Sequence, residues 1–198
     1  LIATLLRQNC YFSNIRPGAV EKVLIVCPLT LVVNWKREFR KWIGRSSIGV
    51  LAVEGDGRKE VERFVSHRQY QVLILGYERL RNCVQELSRA MPGVGLVVCD
   101  EGHRLKSKDT KTTKCFDLLP TRRRILLTGT PIQNDLREFY TMVDFVYPGL
   151  FDQYSVVKRI FEHPILRSRQ QYCTEETLEL GKKRNKALMV ITKGIILR

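Results

Sequence analysis

Short apolar runs punctuate the first two thirds of the chain: Val23–Cys27, Gly49–Val53, Val72–Leu75, Leu96–Cys99 and Arg124–Thr128. A run of four or five residues with little polar alternation is the pattern of a strand buried on both faces. Between the first two runs, Leu31, Trp35, Phe39 and Trp42 recur at three- and four-residue steps, while Lys36, Arg37, Arg40 and Lys41 fall elsewhere. This spacing predicts a helix over 31–42 that lays one face on a sheet. Strands alternating with helices imply parallel pairing with right-handed crossovers, so the expected fold is α/β, an open, mostly parallel sheet flanked by helices. Ligands of such sheets bind beyond the carboxyl ends of the strands. Asp100-Glu101 and Thr128-Gly129-Thr130 each follow directly on an apolar run, which places both on that edge.

The pattern changes near residue 147. A helix over 135–146 is ended by Pro148-Gly149, a second is expected over 152–161, and His163-Pro164 opens a stretch that reads as irregular and basic. Residues 175–191 read as another helix, and Gly194–Arg198 has the composition of a strand beginning. The chain accordingly divides into 1–147, an α/β lobe, and 148–198, a helical and irregular extension. Leu1–Arg7 carries no cap and reads as the end of a helix already under way, as in a piece of a longer protein.

Composition narrows the partners. A formal charge of +14 and a pI near 9.8 favour a polyanion, nucleic acid before membrane. No apolar run approaches the roughly 20 residues of a membrane span. The six cysteines show no CxxC spacing, so free thiols in a reducing compartment are expected, with neither zinc nor disulfides. Arg104, Lys106, Lys108, Lys111, Lys114, Arg122, Arg123 and Arg124 stand against Asp109 and Asp117, a cluster that suits either a solvated face or a phosphate backbone.

The strand-end acids admit more than one reading. Asp100 can hold Mg²⁺ through water while Glu101 activates the attacking water of a nucleotide hydrolase, because adjacent residues leaving a strand point to different sides. The plainer alternative is that Asp100 caps a helix and Glu101 is solvated. His103, as one histidine without nearby metal ligands, reads as a polar packing residue, or as a hydrogen-bonded link to Thr128 or Gln133. Leu127 to Asn134 is either a turn or a loop that re-pairs its hydrogen bonds when phosphate leaves.

Taken together, Asp100 to Lys106 and Leu127 to Asn134 resemble motifs II and III of the Swi/Snf-type superfamily-two DNA-dependent ATPases. Val23 to Trp42, with Cys27-Pro28 and Asn34 to Phe39, resembles motif Ia, and Leu75-Gly76-Tyr77-Glu78 resembles motif Ib. Asp144 to Gly149, Pro164 to Arg169 and Glu179 to Arg184 are similar to the Rad-fifty-four-type recombination-repair branch, its B-type members above all. The sequence departs from the family pattern at Leu29, Gly76, Ser107 and His163.

The resemblance implies the first RecA-like lobe of a two-lobed nuclear motor. Such a motor hydrolyses ATP while tracking on double-stranded DNA and remodels protein–DNA complexes in homologous recombination, with a strand-exchange recombinase as partner. By position, Asp100 would coordinate Mg²⁺ and Glu101 would be the base, with His103 and Gln133 beside them. Thr128, Gly129 and Thr130 would form the loop that couples nucleotide to motion. Thr30, Lys36, Tyr77, Arg104 and Lys106 would touch DNA, and Trp35 is expected in the core. The family's Gly-Lys-Thr phosphate-binding loop would precede Leu1 and does not occur in these 198 residues. This chain alone is therefore expected to be inactive, and a non-catalytic DNA- or recombinase-binding module is the alternative. An RNA-directed helicase fits the Trp35 segment and the Gly102-His103 pair less well.

Overall fold

The computed structural model describes residues 2, 5, 20–43, 48–105, 111–129 and 135–197. The chain forms two compact units, residues 1–131 and 132–198.

The first unit is built on five described strands: β1 (Lys22–Cys27), β2 (Gly49–Ala52), β3 (Tyr70–Gly76), β4 (Val94–Cys99) and β5 (Arg124–Leu126). They pair in the order β2-β3-β1-β4-β5, every pair parallel. The helices between them are α1 (Val32–Ile43), α2 (Arg58–Ser66), α3 (Tyr77–Leu87) and α4 (Lys111–Asp117). The expected open parallel sheet is thus present, and each of the five apolar runs contributes a strand.

The central strand explains the apolar runs. Every residue of β1 is buried, as Val72 to Gly76 of β3 and Leu96 to Cys99 of β4 are. Each such Val, Leu or Ile contributes about 1.5–3 kcal/mol by leaving water. The core of Val23, Ile25, Val72, Ile74, Leu96 and Val98 is covered by Val32 and Phe39 of α1, with Trp35 packed at its border. Helices α2, α3 and α4 were not individually foreseen, although Val61 with Phe64, and Leu80 with Val84 and Leu87, recur at the helical spacing.

One buried charge opens the sheet. Lys22 at the start of β1 is fully buried, donates from Nζ to the carbonyls of Phe64 and Val65 in the last turn of α2, and sits 4.8 Å from the Phe64 ring centroid. Loss of hydration pushes its pKa below the ordinary lysine value. The cation also meets the negative end of the α2 dipole, which offsets part of that cost.

The second unit contains α5 (Leu136–Val146), α6 (Tyr154–Val157), a π-helical turn (Lys158–Glu162), α7 (His163–Arg167) and α8 (Glu175–Thr192). Asp135 caps α5, its carboxylate accepting from the backbone N–H groups of Arg137 at 2.8 Å and Glu138 at 3.2 Å. Phe139, Val143, Ile165 and Leu188 form the core. The sequence reading divided the chain after residue 147, whereas α5 groups with the residues that follow it.

Two expectations are corrected in this unit. The stretch from His163 begins as a helix, His163–Arg167, and is irregular only over 168–174. The helix forms because the turn ahead of Pro164 widens: His163 N–H bonds to Lys158 O in the π pattern, which makes room for the proline ring. Gly194–Leu197 is no strand: Ile195 and Ile196 both donate to Thr192 O at 3.1 Å in a turn, and their side chains fold onto the Phe139 core.

Candidate active site

The carboxyl edge of the sheet collects the ends of β1, β4 and β5. Asp100 N–H donates to Val26 O at 2.8 Å, Leu127 N–H to Cys99 O at 2.8 Å, and Gly102 N–H to Leu127 O at 2.9 Å. The acidic turn is therefore sewn to β1 on one side and to the segment after β5 on the other. The expected meeting of Asp100-Glu101 with Thr128-Gly129 on one edge follows from this pairing.

Asp100 is held by both its backbone and its side chain. Its carbonyl accepts from Tyr77 Oη at 2.7 Å, Oδ1 accepts from Glu101 N–H at 2.9 Å, and Oδ2 accepts from Trp35 Nε1 at 2.8 Å. The helical turn that follows, Gly102–Arg104, has no side-chain cap, so the capping reading of Asp100 does not describe this carboxylate. Trp35 belongs only in part to the core: its ring packs against Phe39 at 6.3 Å, while its N–H reaches the acid.

Glu101 takes a left-handed backbone conformation with φ 52° and ψ 52°, sparsely populated by residues with a side chain. From this turn the Glu101 side chain meets His103, whose Nδ1 lies 3.2 Å from Glu101 Oε2. The Nδ1 atom is buried, and its contact with Glu101 is close without the alignment of a hydrogen bond. The two side chains are 34% and 32% exposed, open enough to meet a ligand. His103 thus faces Glu101, Thr128 is not its contact at Nδ1, and the expected link to Gln133 lies outside the described residues.

Gly102 completes the turn through close approach. A Cβ at this position would lie 2.3 Å from Leu126 Cγ and Cδ2 of β5, so a side chain cannot enter without displacing that of Leu126. No sequence signal marked this role beyond the glycine itself.

The other anticipated residues are distributed around the same edge. Thr30 is exposed in the short 3-10 turn between β1 and α1. Lys36, one turn into α1, pairs with Glu54 at 2.7 Å. Tyr77 is only 6% exposed and spends its hydroxyl on Asp100; burial, with the nearby Cys99, Asp100 and Cys27, raises its pKa. Arg104, Thr128 and Gly129 are exposed. Lys106, Thr130 and Gln133 lie outside the described residues. Two departures from the family pattern meet in space: a Cβ on Gly76 would touch Leu29 Cβ and Cδ1 at 3.8 Å, so the larger Leu29 stands beside the smaller Gly76.

The donor set suits a hard cation held by one carboxylate, water and phosphate oxygens, since each Asp100 oxygen accepts one hydrogen bond and keeps a further lone pair. Among the described residues no group of three or more His, Cys, Asp or Glu side chains comes together. Cys27 and Cys99 are buried thiols on neighbouring strands behind the acid; burial, aided by Asp100, pushes Cys27 up to about 12. No helix among the described residues is long and apolar enough to cross a membrane.

A family model described as "SNF2-related domain" matches residues 1–198. The chain is 42% identical to DNA repair and recombination protein RDH54 of Saccharomyces cerevisiae over 214 residues, with 100% of this chain and 23% of that protein covered. It is 44% identical over 198 residues to RAD54B of Gallus gallus and to RAD54B of Homo sapiens, covering 100% of this chain and 21% of each. The chain thus spans only 21% to 23% of the length of these relatives. Among solved structures, the Sulfolobus solfataricus SWI2/SNF2 ATPase core in complex with dsDNA superposes with a TM-score of 0.71 at 23% identity, over 100% of this chain and 36% of that one. At that identity the likeness concerns the fold.

Proposed function

Because the chain belongs to the SNF2-related domain family, we propose that it is the first-lobe portion of a nuclear, DNA-dependent ATPase that translocates on duplex DNA and remodels protein–DNA complexes in recombinational repair. The observation that carries this reading is the turn after β4. Two adjacent carboxylates leave a buried strand at the ligand edge of a parallel sheet, one held by Trp35 and the other carried on a left-handed backbone.

Asp100 would hold Mg²⁺ through water, and the cation would neutralise charge on the β- and γ-phosphates of ATP. Glu101 orients and deprotonates the attacking water, with its carboxylate aimed by His103. Gly102 lets the turn press against β5, so that a shift at Leu127, Thr128 and Gly129 is felt by the acids; Thr130 and Gln133 follow in the same sequence motif. Thr30, Lys36, Arg104 and Lys106 contact DNA phosphates, which position the duplex without reading its sequence. The engaged hydroxyl of Tyr77 favours a second role, in which it fixes the Asp100 backbone beneath the DNA-facing edge.

The reaction needs a phosphate-binding loop and a second lobe, so it is the activity of a longer polypeptide that carries these residues. A strand-exchange recombinase is its expected partner. The name of the structural neighbour, an ATPase core bound to dsDNA, supports duplex DNA as the track. The test is ATP hydrolysis by that polypeptide with duplex DNA, single-stranded RNA or no nucleic acid. Stimulation by duplex DNA alone is expected, and equal stimulation by single-stranded RNA would reject the proposal.

A further inference from the structure

We propose that Trp35 is a positioning residue that couples the DNA-facing start of α1 to the Asp100 carboxylate, making cation binding sensitive to duplex DNA. This rests on the reading of Asp100 as the Mg²⁺-holding acid. The hydrogen bond from Trp35 Nε1 to Asp100 Oδ2, 2.8 Å long, joins residues 65 positions apart and is partly buried. The same helix begins just after the exposed Thr30, and the residue next to Trp35 is Lys36, whose ammonium is held by Glu54. A duplex phosphate that captures Lys36 competes with Glu54 for it, and the resulting shift is felt one residue away at the indole.

Asp100 is built to receive such a shift. Its backbone is pinned by Val26 through its N–H and by Tyr77 through its carbonyl, and Oδ1 is satisfied within its own turn by Glu101 N–H. The carboxylate torsion is set between that local bond and the one from Trp35, which reaches it from another element. With the backbone fixed, movement of α1 rotates the carboxylate rather than displacing the whole turn. Because it packs its ring on the border of the core and points one donor at the acid, Trp35 is suited to transmit a small displacement of the helix.

The experiment uses the intact polypeptide with Mn²⁺ as the probe and a non-hydrolysable ATP analogue, reading bound Mn²⁺ by electron paramagnetic resonance with and without duplex DNA. In the unaltered protein, duplex DNA is expected to tighten Mn²⁺ binding by about tenfold, the scale of one charge-assisted hydrogen bond. Trp35→Phe is expected to reduce that tightening to less than about twofold while duplex affinity changes by no more than about twofold. Should the smaller ring destabilise the fold, benzothienylalanine at position 35 supplies the same bicyclic shape without an N–H and is expected to behave as Phe does. Tightening by duplex DNA retained in both variants overturns the proposal while leaving the ATPase reading intact. Absence of DNA-stimulated hydrolysis in the unaltered protein overturns the ATPase reading and this proposal with it.

Discussion

Glu101 and Gly102 divide the work of the acidic turn between conformation and space. The left-handed backbone at Glu101 costs on the order of 1–3 kcal/mol, and the hydrogen bond from Gly102 N–H to Leu127 O helps to hold it. Gly102→Ala would drive a methyl against Leu126, and we expect a loss of about 1–3 kcal/mol in urea denaturation. Leu126→Ala should relieve the clash, so the double variant should be less destabilised than the sum of the single ones; strict additivity would contradict the contact. A second residue-scale prediction concerns Cys83, which is buried on α3 and pushed up to about 11 chiefly by desolvation. Between the ordinary thiol value of 9.0 and about 11, the unfolded chain loses this proton while the folded chain keeps it. Unfolding then releases a proton, so stability falls as pH rises, by up to about 1.4 kcal/mol per pH unit for this group. Denaturation of the protein and of Cys83→Ala across that window should show their difference changing with this sign.

At the scale of elements, the helix pair α7 and α8 meets at a glycine. A Cβ on Gly181 would fall 2.1 Å from Ser168 Oγ and 3.0 Å from Pro164 O, so the mid-helix glycine is explained by close packing rather than by chain freedom. Gly181→Ala is expected to destabilise the protein by about 1–3 kcal/mol by thermal or chemical denaturation, although alanine is the better helix former. The strands were legible because buried parallel strands write unbroken apolar runs. Helix α1 was legible because Leu31, Trp35, Phe39 and Trp42 mark a face. The helical path through His163-Pro164 was not, since a π-turn leaves no periodicity and proline ordinarily signals a break. The turn at Gly194–Leu197 was misread because apolar residues pack a core whether or not they pair as a strand. In the site, the shared edge of Asp100 and Thr128 followed from strand ends, but the Trp35–Asp100 bond did not, because no local pattern relates residues 65 positions apart.

For the molecule as a whole, a charge of +14 and the exposed bases near the sheet edge predict that binding to duplex DNA is electrostatic and indifferent to sequence. The logarithm of the 198-residue chain's affinity should fall linearly with the logarithm of salt concentration. Lys36→Gln should reduce that slope by about 1, uniformly across DNA sequences; an unchanged slope would remove Lys36 from the interface. Under the proposed function the basic balance would serve the track, whereas the chemistry would depend on a few acids at one edge of the sheet. The most direct measurement is therefore paired turnover and nucleotide binding by the intact polypeptide carrying Glu101→Gln, in saturating duplex DNA. The account predicts that hydrolysis falls by at least about a hundredfold, as for loss of a general base, with ATP affinity retained. Full turnover in the Gln variant would contradict it.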